Sequence, residues 1–136
     1  MKTPETTYLI DSNIILRYLL NDHPEQSIKS KEFMLKLHDG KIKAEIPTFI
    51  LAECVYVMEK FYHIPRKKIG DSLKKIFNFA GIVNTNKARL LNAIIKFEES
   101  SIDISDCMLA AYSSPERIVV SFDNDMKKLK AFHQRL

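Results

Sequence analysis

Thr7-Tyr8-Leu9-Ile10-Asp11-Ser12-Asn13-Ile14-Ile15-Leu16-Arg17-Tyr18-Leu19-Leu20 reads as a strand handed directly to a helix. Residues 7–10 form a short apolar run suited to a buried strand, and residues 14–20 are an apolar helical run. Ser12 and Asn13 between them supply cap chemistry. Asp11 stands at the carboxyl end of the strand.

The same alternation continues outward. Pro24, at a first helical position, opens a helix that ends near Asp39-Gly40. Residues 44–46 read as a short strand, and Pro47-Thr48 leads into a helix reaching about residue 62. Pro65 opens a helix to about residue 78, and Gly81-Ile82-Val83 reads as a brief strand. Helices follow over 86–99 and 105–112. Residues 118–121 are β-branched and strand-like, and 125–132 close the chain as a helix. The order β-α-α-β-α-α-β-α-α-β-α predicts an α/β fold, a three-layer α/β/α sandwich around a short-stranded, mostly parallel central sheet. In such sheets ligands bind beyond the carboxyl ends of the strands. Asp11 and Asp123 both occupy that position.

A length of 136 residues predicts one domain spanning 1–136. The hydrophobic share of 46% is enough for a core, and with only 3 Gly and 5 Pro a disordered or low-complexity chain is excluded. The net charge of +4 permits a polyanionic partner, but ordinary surface charge explains it equally well. Arg66-Lys67-Lys68 and Lys74-Lys75 read first as a solvated helix face and second as a guide for a phosphate backbone. Cys54 and Cys107 lie in apolar helical sequence without Cys-x-x-Cys spacing, which predicts buried reduced thiols and a cytoplasmic protein. Pro4 and Glu5 precede an apolar run of only a few residues, so no leader is expected there, and no stretch approaches a membrane span.

Four carboxylates then stand out. Asp11 ends Tyr8-Leu9-Ile10, Glu53 lies inside Phe49-Ile50-Leu51-Ala52-Glu53-Cys54-Val55-Tyr56-Val57, Asp106 opens Asp106-Cys107-Met108-Leu109-Ala110-Ala111, and Asp123 follows Val119-Val120-Ser121-Phe122. Carboxylates set in apolar sequence are expected to be paired or to hold a metal. On its helix Glu53 has Phe49, Ile50, Tyr56 and Val57 three and four positions away, so no cation of that helix neutralises it. Each acid also has a structural reading: Glu53 at the rim of a buried face paired with a distant lysine, Asp11 and Asp123-Asn124-Asp125 as turns, Asp103 as an N-cap with Asp106 in the first turn. One metal site accounts for all four acids at once.

Clustered carboxylates with no obligatory His or Cys suit hard ions such as Mg²⁺ or Mn²⁺. One or two such ions activate a water and neutralise charge building on a phosphate, the chemistry of phosphodiester hydrolysis. The histidines (His23, His38, His63, His133) fall in turns or exposed helix positions, and no Ser-His-Asp grouping is visible.

The chain resembles the PIN domain, in particular the toxin subunit of a VapBC-type toxin–antitoxin pair. The likeness runs the whole length: Tyr8 through Pro24 with its Asp11-Ser12-Asn13 signature, Ile46-Pro47 through Leu51-Ala52-Glu53, Asp103-Ile104-Ser105-Asp106 with Leu109-Ala110-Ala111, and Val120-Ser121-Phe122-Asp123-Asn124-Asp125-Met126. The resemblance implies a compact α/β/α sandwich and an Mg²⁺- or Mn²⁺-dependent endoribonuclease. It implies metal ligation by Asp11, Glu53, Asp106 and Asp123, with Asp103 and Asp125 as further acids and Ser12 and Asn13 orienting Asp11. It also implies an RNA substrate, a homodimer, and a small antitoxin whose C-terminal segment enters the active-site groove. One departure is Met126, where relatives often carry an aromatic residue; an apolar side chain there is expected to alter packing only.

Two other readings compete. Asp123-Asn124-Asp125 after a strand is similar to the Asp-x-Asp of haloacid-dehalogenase-type phosphatases, but that fold needs far more chain after the motif than stands here. A catalytically inactive PIN-like module that binds RNA or protein is the alternative, and the retention of all four acids favours catalysis over it.

Overall fold

The computed structural model describes residues 6–136; the reading of Pro4 and Glu5 lies outside them. In chain order the elements are β1 (Thr7–Leu9), α1 (Ser12–Leu20), α2 (Pro24–His38), β2 (Lys43–Glu45), α3 (Thr48–Lys60), α4 (Arg66–Phe77), α5 (Lys87–Glu98), α6 (Ile104–Tyr112), β3 (Val119–Ser121), α7 (Asp125–Lys128) and β4 (His133–Arg135). It is an α/β chain, mostly helical, with short parallel strands.

The first βα unit is built as expected except at its joint. Asp11, with extended backbone (φ −77°, ψ 155°), is itself the N-cap, and its carboxylate accepts the Ser12 N–H at 2.9 Å. Ser12 and Asn13, expected as caps, lie inside α1. The cap sits one residue earlier because the chain leaves the strand conformation only after Asp11, and a carboxylate serves a helix start as well as a hydroxyl.

Strand β2 lies between two parallel neighbours. It pairs with β1 in the register Tyr8↔Ala44, and Ala44 forms an isolated parallel bridge to Ile82. The expected strand at 81–83 is reduced to that bridge. Beyond it the Asn84 side chain takes over, accepting the Ile46 N–H at 2.9 Å and donating to the Ile46 carbonyl at 2.8 Å. One amide group thus supplies both partners that another strand residue would have offered. Gly81 is required here: a Cβ would run into the backbone carbonyls of Ile42 and Leu37.

The expected closing helix over 125–132 is not formed. Helix α7 stops at Lys128, Lys130 turns the chain in the left-handed region (φ 57°), and β4 runs parallel to β3 in the register Val119↔His133. Val119 N–H donates to Phe132 O at 2.8 Å and Leu136 N–H to Ser121 O at 2.9 Å, so backbone pairing outweighs the helical preference of the lysines. Among the described residues the strands form two parallel pairs, β1–β2 and β3–β4, where one central sheet was expected.

Helix α5 packs against α4 and α6, α1 against α2 and α3, and α3 also meets α4 and α6. Their inner faces bury Ile15, Leu51, Met58, Leu73, Phe77, Ile94 and Phe97, each worth about 1.5–3 kcal/mol of transfer free energy. Met126 is 1% exposed and belongs to this core, as its apolar character predicts. Cys54 and Cys107 are buried free thiols. No described helix is long and apolar enough to cross a membrane.

Candidate functional site

Helix α3 buries Ile50, Leu51, Cys54, Val55 and Met58. That spacing turns Phe49, Glu53 and Tyr56 outward, with Phe49 73% and Tyr56 56% exposed. Glu53 is therefore at the middle of an exposed face rather than at the rim of the buried one. The lysine partner allowed for it by the structural reading is not there: no ion pair or hydrogen bond forms to its carboxylate among the described residues.

Across from it, Asp103 occupies the N-cap position of α6 without any side-chain capping bond, and Asp106 lies in the first turn. Glu53, Asp103 and Asp106 line one cleft of about 450 Å³, together with Tyr56, Glu59, Lys60 and Ser105. Asp106 is half-buried, and its carboxyl is held above the ordinary carboxylate range, first by loss of hydration and then by the charges of Asp123, Asp125 and Asp103. Those four acids share one electrostatic neighbourhood. On the other side, burial and then the charges of Glu53 and Asp11 push the Cys54 thiol up to about 12. Asp11 and Glu53 thus approach the same buried sulfur from β1–α1 and from α3.

Asp123 follows β3 and is held as a turn: its Oδ1 accepts the Asp125 N–H at 3.0 Å and the Ser121 hydroxyl at 3.3 Å. The turn reading and a role in the acidic edge are both satisfied by the same side chain. Asp125 faces Lys128 only distantly, at 4.0 Å. Ser12 holds Asp11 through its backbone N–H, while its carbonyl accepts the Cys54 S–H at 3.9 Å. No bond joins Asn13 to Asp11 among the described residues.

Burial does not single these acids out, since Asp11, Glu53, Asp103 and Asp123 are all exposed. Among the described residues none of these four has a Lys, Arg or His within 4 Å, unlike Asp22, Glu59, Asp71 and Glu98. What sets them apart from other unpaired acids is that Glu53 and Asp103 share a cleft with Asp106, while Asp123 acts on Asp106 and Asp11 on Cys54. An all-oxygen, uncompensated donor set suits a hard divalent cation. The fit is one of donor chemistry and charge: no three of the described His, Cys, Asp or Glu side chains are gathered closely enough to form a finished ion shell.

Arg66 is the organising residue that sequence reading missed. Its Nε donates to Glu59 at 2.7 Å, Nη1 donates to the carbonyls of Phe97, Ser100 and Ile102, and Nη2 reaches Ser101 O at 3.3 Å. The guanidinium also lies over the Phe97 ring, 4.0 Å from its centre. It ties α3 to the loop that delivers Asp103 and Asp106. Its partners are mostly backbone oxygens, which leave no trace in sequence. Neither reading of Arg66-Lys67-Lys68 holds for Arg66, which points inward, and Lys67 pairs with Asp71 and Glu98.

The family model described as PIN domain matches residues 8–131. No curated protein matches the chain.

Proposed function

The chain belongs to the PIN domain family, and from that premise we propose that it is a metal-dependent endoribonuclease acting as the toxin of a VapBC-type toxin–antitoxin pair. PIN domains have a nuclease-type fold and generally use divalent metals. The observation that carries the reading is the acidic edge: Glu53, Asp103 and Asp106 line one cleft, and Asp106 feels the charges of Asp123 and Asp125.

In this reading Asp11, Glu53, Asp106 and Asp123 hold Mg²⁺ or Mn²⁺, as one or two ions, and Asp103 and Asp125 add negative charge around them. A bound ion would supply an activated water and neutralise charge on the scissile phosphate. The residues' own work is positional. Asp11 is fixed by the Ser12 N–H, Asp123 by Ser121 and the Asp125 N–H, and Asp106 by the α6 start that Arg66 anchors. Exposed Phe49 and Tyr56 on either side of Glu53 offer flat surfaces on which unpaired bases stack. A homodimer, a small antitoxin entering this cleft, and a cytoplasmic setting belong to the same proposal.

The test is cleavage of labelled total RNA by purified protein in Mn²⁺ or Mg²⁺, beside EDTA and Asp11→Asn. Metal-dependent cleavage lost in the variant is expected. A folded protein that binds no Mn²⁺ and cuts nothing would return the chain to the alternative, an inactive module that binds RNA or protein.

A further inference from the structure

A second pocket, of about 300 Å³, lies away from the acidic cleft and has the opposite character. Arg89, Asn92 and Lys96 reach it from one face of α5, Ala110 and Ala111 from α6, and Lys130 and Phe132 from the turn between α7 and β4. Three cations line it and no carboxylate does. Among the described residues neither Arg89 nor Lys130 has an acidic partner; the only charge-related contact of Arg89 is the Tyr112 ring, 5.2 Å away. Lys96 is held in place by donating to Leu129 O at 2.6 Å. Lys130 occupies a left-handed backbone position (φ 57°) where glycine would fit more easily, and a cation stands there instead. Like charges left unpaired around one hollow favour a polyanion.

We propose that this pocket binds the phosphate backbone of the RNA strand whose scissile bond lies at the acidic edge, an inference that rests on the nuclease reading above. The two places are joined by shared elements. Helix α6 carries Asp103 and Asp106 at its start and Ala110 and Ala111 in the pocket wall, roughly 6–8 Å beyond Asp106 at 1.5 Å per residue. Asp125 opens α7, and Lys130 and Phe132 follow it. Half-exposed Phe132 and the Asn92 amide add a stacking face and a hydrogen-bonding group, which suits a single-stranded nucleic acid better than a simple acidic surface. Phosphate held here would place the chain's negative charge on cations while a neighbouring linkage meets the carboxylates, which alone would repel it.

The experiment measures binding of a fluorescein-labelled, mixed-sequence single-stranded RNA by anisotropy, in EDTA so that nothing is cut, across a salt series. The variant is Arg89→Gln with Lys130→Gly; glycine removes the charge at a backbone position it prefers, and thermal melts verify folding. The expected result is a five- to tenfold weaker Kd, with a log–log salt slope shallower by about 1.4, two phosphate contacts at about 0.7 each for a single strand. Asp11→Asn should bind at least as tightly as the wild type. Full retention of binding by the double variant overturns the pocket and leaves the nuclease reading standing, whereas absence of RNA binding by the wild type overturns both. Poly-glutamate bound as tightly as RNA of equal charge would overturn the pocket in favour of an acidic protein segment.

Discussion

Arg66 donates to the carbonyl of Ile102 at 2.6 Å, so the first residue of α4 fixes the loop that precedes α6. The same guanidinium serves Ser100 and Phe97 and pairs with Glu59. Removing it leaves the Ser100 carbonyl without a donor, leaves Ile102 O only the weak Cys107 thiol at 3.6 Å, and strips Glu59 of its 2.7 Å partner. Arg66→Ala should cost about 3 kcal/mol, read as a lower urea midpoint with unchanged slope. Arg66→Lys should recover little, because an ammonium lacks the planar fork. A loss below about 0.5 kcal/mol in both would show that the loop is held by other means.

Asn84 makes a second such prediction. Its amide serves both the N–H and the carbonyl of Ile46 and also donates to Asn86. Asn84→Ala should destabilise by about 1–3 kcal/mol, and Asn84→Asp by a similar amount since it can accept but not donate. Hydrogen exchange at the Ile46 amide should quicken in both.

Charge at the acidic edge should be a net cost in the absence of metal. The Asp106 carboxyl titrates above its ordinary range, so the native state binds its proton more tightly than the unfolded chain does. The resulting stability is present at low pH and is lost as pH rises through the raised native value. Asp106→Asn in EDTA at neutral pH should therefore melt slightly higher, by under about 1 kcal/mol after allowing for solvent screening. A melt several degrees lower would count against mutual repulsion there.

Metal should reverse that order. At a hundredfold excess over its Kd, Mn²⁺ should stabilise the wild type by about 2.7 kcal/mol. Asp106→Asn and Asp11→Asn should gain much less at the same concentration, and EDTA should return the wild type to its starting melt. Equal gains in all three proteins would place the bound ion elsewhere.

Acid should loosen the join between α1 and α3. The Tyr62 hydroxyl donates to Asp22 at 2.6 Å and lowers its pKa from 3.8, with Arg17 helping at 2.9 Å. For a carboxylate with a lowered native pKa, the stabilisation is present above pH 3.8 and is lost as pH falls through the native value. Asp22→Asn should flatten the stability profile in that window and leave its slope at neutral pH unchanged.

Much of the fold was readable because its signals are local. Pro24 and Pro65 mark helix starts, and the apolar spacing of α3 and α5 marks their buried faces. The misses are long-range. His133-Gln134-Arg135 has no strand composition and becomes β4 only because β3 offers it a ladder. The strand expected at 81–83 shrinks because a side chain, Asn84, substitutes for it. For the site, residue types and order were legible, and the structure brings Glu53, Asp103 and Asp106 to one cleft with Asp123 and Asp125 in reach of Asp106. The exposure of Glu53 was not legible from its apolar neighbours: a period of 3.6 turns it outward even within an apolar run.

Because the acids of the proposed site come from β1–α1, α3, α6 and the end of β3, no fragment shorter than residues 11–123 carries the complete set. Cutting competence would then be a property of the finished tertiary structure, gained in the last docking step of folding and forfeited at the first sub-global opening. A nascent or proteolytically nicked copy would be harmless to surrounding RNA, and any agent that prises α3 from α6 would disarm the protein without touching a carboxylate.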